Sequence, residues 1–266
     1  MENTKLKKLK SILKRLGKVI IAYSGGVDST FLLKVAVDTL GKENVLAVTA
    51  VSPTYQKEEK IFSEKMAKKI GANHIFIKTD ELKNKNFSSN PKNRCFYCKY
   101  ELFKKLKEVG KKYKIENIID GTNKDDEYDY RPGEKAKKIY NVISPLKKSG
   151  FKKKDIREFS KKLALPTWNK PALACLASRI PYNEEITSLR LEKIEKGEKA
   201  LKKIGFNQVR LRDYGKIARI EVEKNLLNKI IKKREIVIAE LKKLGYKYIT
   251  VDLEGYRTGS MNEEII

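Results

Sequence analysis

Residues 18–30, KVIIAYSGGVDST, decide how this chain folds. KVIIAYS is a short apolar run of buried-strand type, two glycines turn the chain, and from Ser29 the run STFLLKVAVDTLG reads as a helix stopped by Gly41. A strand feeding a helix through a tight turn is the first half of a βαβ unit. The pattern continues outward on the C-terminal side: a strand NVLAVTAV (44–51), a helix KEEKIFSEKMAKKIG (57–71), a strand HIFIKT (74–79), a helix YELFKKLKEVGKKY (100–113) and a strand NIID (117–120). On the N-terminal side an amphipathic helix over about 4–16 ends at Gly17. Strands alternating with helices in this way predict α/β architecture with a doubly wound parallel sheet.

The alternation ends after a helix over 155–163, at LPTWNKPALACLASRIPYNEE (165–185), which carries three prolines and no clear period. Beyond it come a helix within 186–205, strands QVRLRD and KIARIEV, a helix over 226–244 and a strand within YKYITVDL. This αββαβ run predicts a smaller α+β domain. The expected division is 1–182 for the larger α/β domain and 183–266 for the smaller one.

Sixty Lys and Arg against 34 Asp and Glu give a net charge of +26. Such a balance points to a polyanionic partner only when it is concentrated on one face. Here the basic residues are spread over nearly every helix, so a solvated Lys-rich surface is the favoured reading and no nucleic-acid partner is expected. The N-terminal segment lacks an uninterrupted apolar core of signal type, and no run of about 18 apolar residues occurs. A cytoplasmic location with no membrane association follows as the expectation. The single His, His74, begins an apolar strand and reads as a satisfied structural residue; Trp168 and the tyrosines of EYDYRP read as packing residues.

The glycines of Ser24-Gly25-Gly26-Val27-Asp28-Ser29 let backbone approach an anion, and the following helix N-terminus aims N–H groups and partial positive charge at it. Ser24, Ser29 and Thr30 add hydroxyls. The loop is not a Walker A sequence, because no Gly-Lys-Ser/Thr follows. SGGVDS resembles the PP-loop of ATP pyrophosphatases, with their adenine nucleotide alpha hydrolase-like fold. These enzymes cut ATP between the α and β phosphates and transfer AMP to an oxygen. The resemblance implies that Ser24 to Ser29, with Gly25 and Gly26, hold pyrophosphate and that Asp28 holds Mg²⁺. Ligands of open α/β sheets sit beyond the strands' carboxyl ends. Ser52 and the segment Gly121, Thr122, Asn123 and Asp125 fall there as further nucleotide or Mg²⁺ candidates.

The three cysteines stand in RCFYCK, at Cys95 and Cys98, and in PALACLASR, at Cys175. A C-x-x-C pair can chelate one metal centre, and a third thiolate could close on it. Structural zinc wants four protein ligands, so the count favours a [4Fe–4S] cluster with one open iron. A zinc site and metal-free persulfide chemistry stay open.

RCFYCK, DGTNKDDEYDYRPG, PALACLASRIPYNEEIT and VRLRDYGKIARIEV together resemble the LarE family, ATP-dependent sulfur transferases that help build the nickel-pincer nucleotide, and the resemblance spans nearly the whole chain. It implies ATP and Mg²⁺ as cofactors, adenylation of a carboxylate on a pyridinium mononucleotide, and displacement of AMP by sulfur to give a thiocarboxylate. Cys175 would be the sulfur-bearing position. In one branch of the family that cysteine gives up its own sulfur; the presence of Cys95 and Cys98 resembles the branch in which three cysteines hold a cluster. Arg179, Arg210 and Arg212 would then bind the substrate's phosphate and carboxylates, since guanidinium pairs with both through parallel hydrogen bonds. Ser178 and Glu221 match motif positions. A sulfide donor and a homo-oligomer are also implied. Two other readings stay open: a tRNA 2-thiolation enzyme of the same superfamily, and a non-catalytic scaffold for nucleotide or Fe–S.

Overall fold

A computed structural model describes residues 4–128, 132–171, 174–257 and 259–263. In chain order the elements are α1 (Thr4–Leu16), β1 (Val19–Ala22), α2 (Val27–Leu40), β2 (Val45–Val51), α3 (Lys57–Ile70), β3 (Asn73–Lys78), α4 (Lys85–Ser88), α5 (Arg94–Tyr113), β4 (Asn117–Asp120), α6 (Gly133–Ile139), α7 (Pro145–Lys148), α8 (Lys153–Lys162), α9 (Ser188–Ile204), β5 (Val209–Tyr214), β6 (Ile217–Val222), α10 (Leu227–Lys232), α11 (Arg234–Lys243) and β7 (Tyr248–Val251). They form two compact units, 1–81 with 93–173, and 82–92 with 174–266.

The first unit is the predicted parallel sheet, in the order β3-β2-β1-β4. The two central strands, β1 (VIIA) and β2 (VLAVTAV), read as nearly continuous apolar runs because both of their faces are covered. Val19, Ile21, Val45, Ala47 and Ile119 pack on one side with Leu9 and Leu13 of α1 and Phe31 and Leu32 of α2. Ile20, Leu46, Val48 and Ile118 pack on the other with Phe103 and Leu106 of α5. With β2 and β4 on opposite sides of β1, the strand order reverses at the carboxyl end of β1. That is where an open α/β sheet leaves a crevice, and SGGVDS occupies it.

The second unit is a three-stranded sheet in the order β5-β6-β7, antiparallel between β5 and β6 and parallel between β6 and β7. Alternation sorts its residues. Val209, Leu211, Ala218, Ile220 and Val222 join a core with Leu201 of α9 and Val237 and Leu241 of α11. Arg210, Arg212, Arg219 and Glu221 therefore share the opposite face.

Three local features differ from the sequence expectations. α5 begins at Arg94, so Cys95 and Cys98 lie in its first turns and not in a preceding loop. The helix expected over 226–244 is two helices, broken at Lys233, whose φ of −98° and ψ of 16° leave the helical range. The expected domain boundary after 182 lies nine residues beyond the division into units, and the 82–92 segment groups with the second unit. Asn90 explains this: its side-chain amide donates to the carbonyls of Ile180 (3.2 Å) and Pro181 (2.6 Å), while Ile186 N–H donates to Ser88 O at 2.7 Å. Among the described residues, no helix is long and apolar enough to cross a membrane.

Candidate active site

Gly25 turns the chain at the end of β1 with φ +69°, and a Cβ there would stand 2.9 Å from Ser63 Cβ on α3. Only glycine gives both the left-handed backbone and the clearance. The turn is knitted by hydroxyls: Ser24 and Ser29 Oγ lie 3.1 Å apart, Gly26 N–H donates to Ser24 Oγ at 3.4 Å, and Ser29 Oγ donates to Gly26 O at 3.3 Å. Thr30, the next residue, is fully buried. Tyr55 caps the outside, donating to Ser24 O at 3.0 Å; burial pushes its phenol up to about 12, so it remains a donor at neutral pH.

Asp28 sits in the first turn of α2. Its Oδ2 is 2.5 Å from Lys153 Nζ, and its Oδ1 is buried with no hydrogen-bond partner. A buried carboxylate oxygen without a donor is costly, and here it lies at a helix N-terminus suited to anions. A hard divalent cation fits it, since oxygen donors of this kind are what Mg²⁺ takes.

The segment after β4 comes to the same place. A Cβ on Gly121 would lie 2.9 Å from Ser29 N and 3.2 Å from the Asp28 carbonyl carbon, so glycine is what lets this loop touch the start of α2. Thr122 Oγ1 donates to Asp120 Oδ2 at 2.8 Å, Asn123 Oδ1 accepts from Asp125 N–H at 2.9 Å, and Asp125 Oδ2 accepts from Lys153 N–H at 2.8 Å. Asp120 is the buried hub: Ser144 Oγ donates at 2.6 Å and Lys137 Nζ lies at 3.3 Å, itself donating to Thr122 Oγ1 at 3.0 Å. Ser52, at the end of β2, donates to the buried Glu81 at 2.5 Å and pairs with Thr54 Oγ1 at 2.9 Å.

Sequence reasoning missed Lys137, Lys153 and Lys170. Lys170 Nζ donates to Gly25 O at 3.2 Å and to Glu59 Oε2 at 2.6 Å, and it stands 3.6 Å from the centre of the Phe62 ring. Burial pulls its ammonium below the ordinary lysine value, and Glu59 partly restores it.

In the second unit, Cys175 is exposed and precedes a short 3₁₀ turn, Leu176–Arg179. Arg179 is completely buried and turned inward. Nε and Nη2 fork onto Glu198 at 2.9 and 3.1 Å, while Nη1 donates to the carbonyls of Ala174 (2.7 Å) and Cys175 (2.9 Å) and to Ser178 Oγ (3.1 Å). Ser178 Oγ donates to Cys175 O at 2.8 Å. Arg212 forks onto Glu221 at 2.8 and 2.7 Å and donates from Nη1 to Ser178 O at 2.8 Å, tying the charged sheet face to the Cys175 turn. Arg219 Nη2 reaches the same Glu221 at 3.2 Å. Arg210 lies 5.0 Å from the Tyr256 ring centre and donates to Val209 O at 2.9 Å; burial, then the guanidinium groups of Arg179 and Arg212, hold it below the usual arginine value. Glu198 and Arg219 adjoin the candidate residues Arg179 and Glu221 and go unnamed in the sequence reading; the R-x-R and R-x-E alternation of VRLRD and ARIEV is the available signal for Arg219.

Cys95 is exposed and Cys98 half-buried, and all three cysteines are thiols outside any disulfide. The pair belongs to the first unit and Cys175 to the second. Among the described residues, no three His, Cys, Asp or Glu side chains gather into a group that could hold a metal ion. His74 is satisfied as expected, with Nε2 2.8 Å from Thr49 Oγ1 and its ring against Tyr23 and Phe76. Trp168 is partly exposed beneath Lys161 Nζ, 5.0 Å from its ring centre. The motif residues Asp129, Tyr130, Arg131, Ala172 and Leu173 lie outside the described residues, as does the side chain of Tyr128.

Residues 3–104 match the NAD synthase family. An uncharacterized protein of Synechocystis is 41% identical over 266 residues, covering 98% of each chain. The pyridinium-3,5-bisthiocarboxylic acid mononucleotide synthase of Lactiplantibacillus plantarum is 36% identical over 262 residues, covering 98% of this chain and 95% of that protein. An uncharacterized protein of Methanocaldococcus jannaschii is 35% identical, covering 96% of this chain and 98% of its own. With a PP-loop at the switch point of a parallel sheet and full-length similarity to that synthase, the chain belongs to the LarE family of ATP-dependent, sulfur-transferring enzymes.

Proposed function

We propose that the chain adenylates a carboxylate of a pyridinium mononucleotide and replaces the AMP with sulfur, giving a thiocarboxylate for the nickel-pincer nucleotide. The observation that carries this reading is the buried, unpartnered Oδ1 of Asp28 at the mouth of the Ser24–Ser29 turn. A site that only needed to bind a phosphate would not place an orphaned carboxylate there, because like charges repel. A site that cuts a metal-bound triphosphate needs one.

In the first step a substrate carboxylate oxygen attacks the α-phosphorus. The new P–O bond forms as the bond to the bridging oxygen breaks, and pyrophosphate leaves into the loop, where backbone N–H groups and the α2 N-terminus accept its charge. In the second step hydrosulfide attacks the acyl carbon. The carbon–oxygen bond to AMP breaks, AMP departs with that oxygen, and the proton goes to solvent. Mg²⁺, held by Asp28, would draw charge from the phosphates and sharpen the electrophile. Thr122, Asn123, Asp125 and Ser52 shape the nucleotide side of the crevice.

The cysteine set fits an iron–sulfur cluster in its chemistry, three thiolates with one iron site left for an external ligand. Cys95, Cys98 and Cys175 would hold a [4Fe–4S] cluster that supplies sulfide. Arg179 fixes the backbone carrying Cys175 and Ser178, and Arg210 and Arg212, with Glu221 orienting Arg212, present the positive face for the substrate's phosphate and carboxylates. The partners on this reading are the nucleotide substrate and a sulfide donor in the cytoplasm, with the chain assembled as a homo-oligomer.

The test is pyrophosphate release from ATP and Mg²⁺ with and without a carboxylated pyridinium mononucleotide. Release that depends on this substrate is the expected result. Release that depends on tRNA instead would make the chain a tRNA-thiolating enzyme, and release with neither would leave a scaffold.

A further inference from the structure

Pyrophosphate leaves with several negative charges, and SGGVDS contains no Lys or Arg to meet them. A Walker A loop carries its own lysine for this purpose. The α2 N-terminus contributes only about half a unit of positive charge. Two ammonium groups nevertheless stand on this turn, both brought from outside it. Lys153 Nζ is 2.5 Å from Asp28 Oδ2, and Lys170 Nζ is 3.2 Å from Gly25 O.

Both depend on α8. Lys153 is its first residue. One turn later Arg157 donates from Nη1 to Trp168 O at 2.7 Å and from Nη2 to Lys170 O at 2.8 Å, fixing the strand of chain from which Lys170 reaches the loop. Each lysine is held by a carboxylate that an anionic ligand would compete with: Lys153 by Asp28, and Lys170 by Glu59 at 2.6 Å. The Lys170–Glu59 pair is mostly buried, with side chains 13% and 16% exposed, so its ammonium is poorly hydrated and seeks the strongest anion within reach.

We propose that Lys153 and Lys170 are parked counter-charges that leave Asp28 and Glu59 when the nucleotide arrives and close on the leaving pyrophosphate. The hand-over has a second effect, because it frees Asp28 Oδ2 beside the already unpartnered Oδ1. Both carboxylate oxygens then become available to a divalent cation only when the phosphates are in place. Arg157 is a positioning residue in this device. The inference rests on the reading of the loop as an ATP-cleaving site.

The experiment measures binding of inorganic pyrophosphate, with and without MgCl₂, to the full-length chain by titration calorimetry. Lys153→Gln and Lys170→Gln should each weaken binding about tenfold or more, the effect of losing one charge-assisted hydrogen bond. Lys154→Gln, an exposed neighbour, should leave it unchanged. Glu59→Gln is the sharpest variant: releasing Lys170 from its park should tighten pyrophosphate binding, whereas a merely structural tie would make it weaken with Lys170→Gln. If Lys170→Gln does not fold, Glu59→Gln and Lys153→Gln carry the test. Unchanged affinity in both lysine variants, or weakened affinity in Glu59→Gln, overturns the clamp. Lysine-dependent pyrophosphate binding with no pyrophosphate formed from ATP and substrate would uphold the clamp and sink the adenylation reading instead.

Discussion

Asp28 divides its oxygens unequally, Oδ2 against Lys153 and Oδ1 buried without a donor. Leaving a buried acceptor unmet costs about 1–3 kcal/mol, and the fold bears it at the mouth of the loop. Asp28→Asn removes the charge with little change of shape. Pyrophosphate release should fall at least about a hundredfold, the scale expected when transition-state charge loses its stabilisation, while the melting temperature stays nearly constant, because the half-exposed ion pair with Lys153 is worth at most about 1 kcal/mol. A variant that kept its rate would remove Asp28 from the chemistry. The motif made Asp28 visible in the sequence, glycine chemistry made Gly25 visible, and a place beyond the carboxyl end of its strand made Gly121 visible. Lys137, Lys153 and Lys170 were hidden by composition: among sixty basic residues, nothing local distinguishes a lysine aimed at a loop from one aimed at water.

Elements buried on both faces were the easiest to read. β1 is Val-Ile-Ile-Ala, and β2 departs from Val, Leu and Ala only at Thr49, because helices cover each side of their sheet. The start of α5 was harder to read, since Pro91 and the polar residues before Cys95 carry loop chemistry while the helix already runs from Arg94. The break at Lys233 left no proline or glycine signal. Glu198 was also illegible: it lies on α9, whose sequence shows an ordinary charged helix, yet it is buried against Arg179 and accepts from Leu211 N–H at 3.2 Å. Removing one partner of a buried pair strands the other. Glu198→Gln should therefore destabilise the second unit by about 3–5 kcal/mol, read as an earlier thermal or urea transition, and should raise the reactivity of Cys175 towards a thiol reagent as Arg179 loosens its carbonyls. No loss of stability would mean that Arg179 finds another acceptor.

For the molecule as a whole, the proposed function divides its chemistry between the residues of the two units. The residues proposed to handle ATP and the C-x-x-C pair belong to the first, and Cys175, Ser178 and the arginine face to the second. Activation and sulfur transfer should therefore be separable. Cys98→Ala should keep substrate-dependent pyrophosphate release to within about twofold, as expected for a residue outside the bond-breaking step, and should lose repeated thiocarboxylate formation with free sulfide. Full repeated turnover in that variant would exclude the three-thiolate arrangement. The most direct measurement follows one oxygen atom. With substrate carboxylates labelled with oxygen-18, adenylation followed by sulfur displacement predicts that AMP acquires one labelled oxygen for each thiocarboxylate formed. Unlabelled AMP, or ADP and phosphate as the products, would contradict the account.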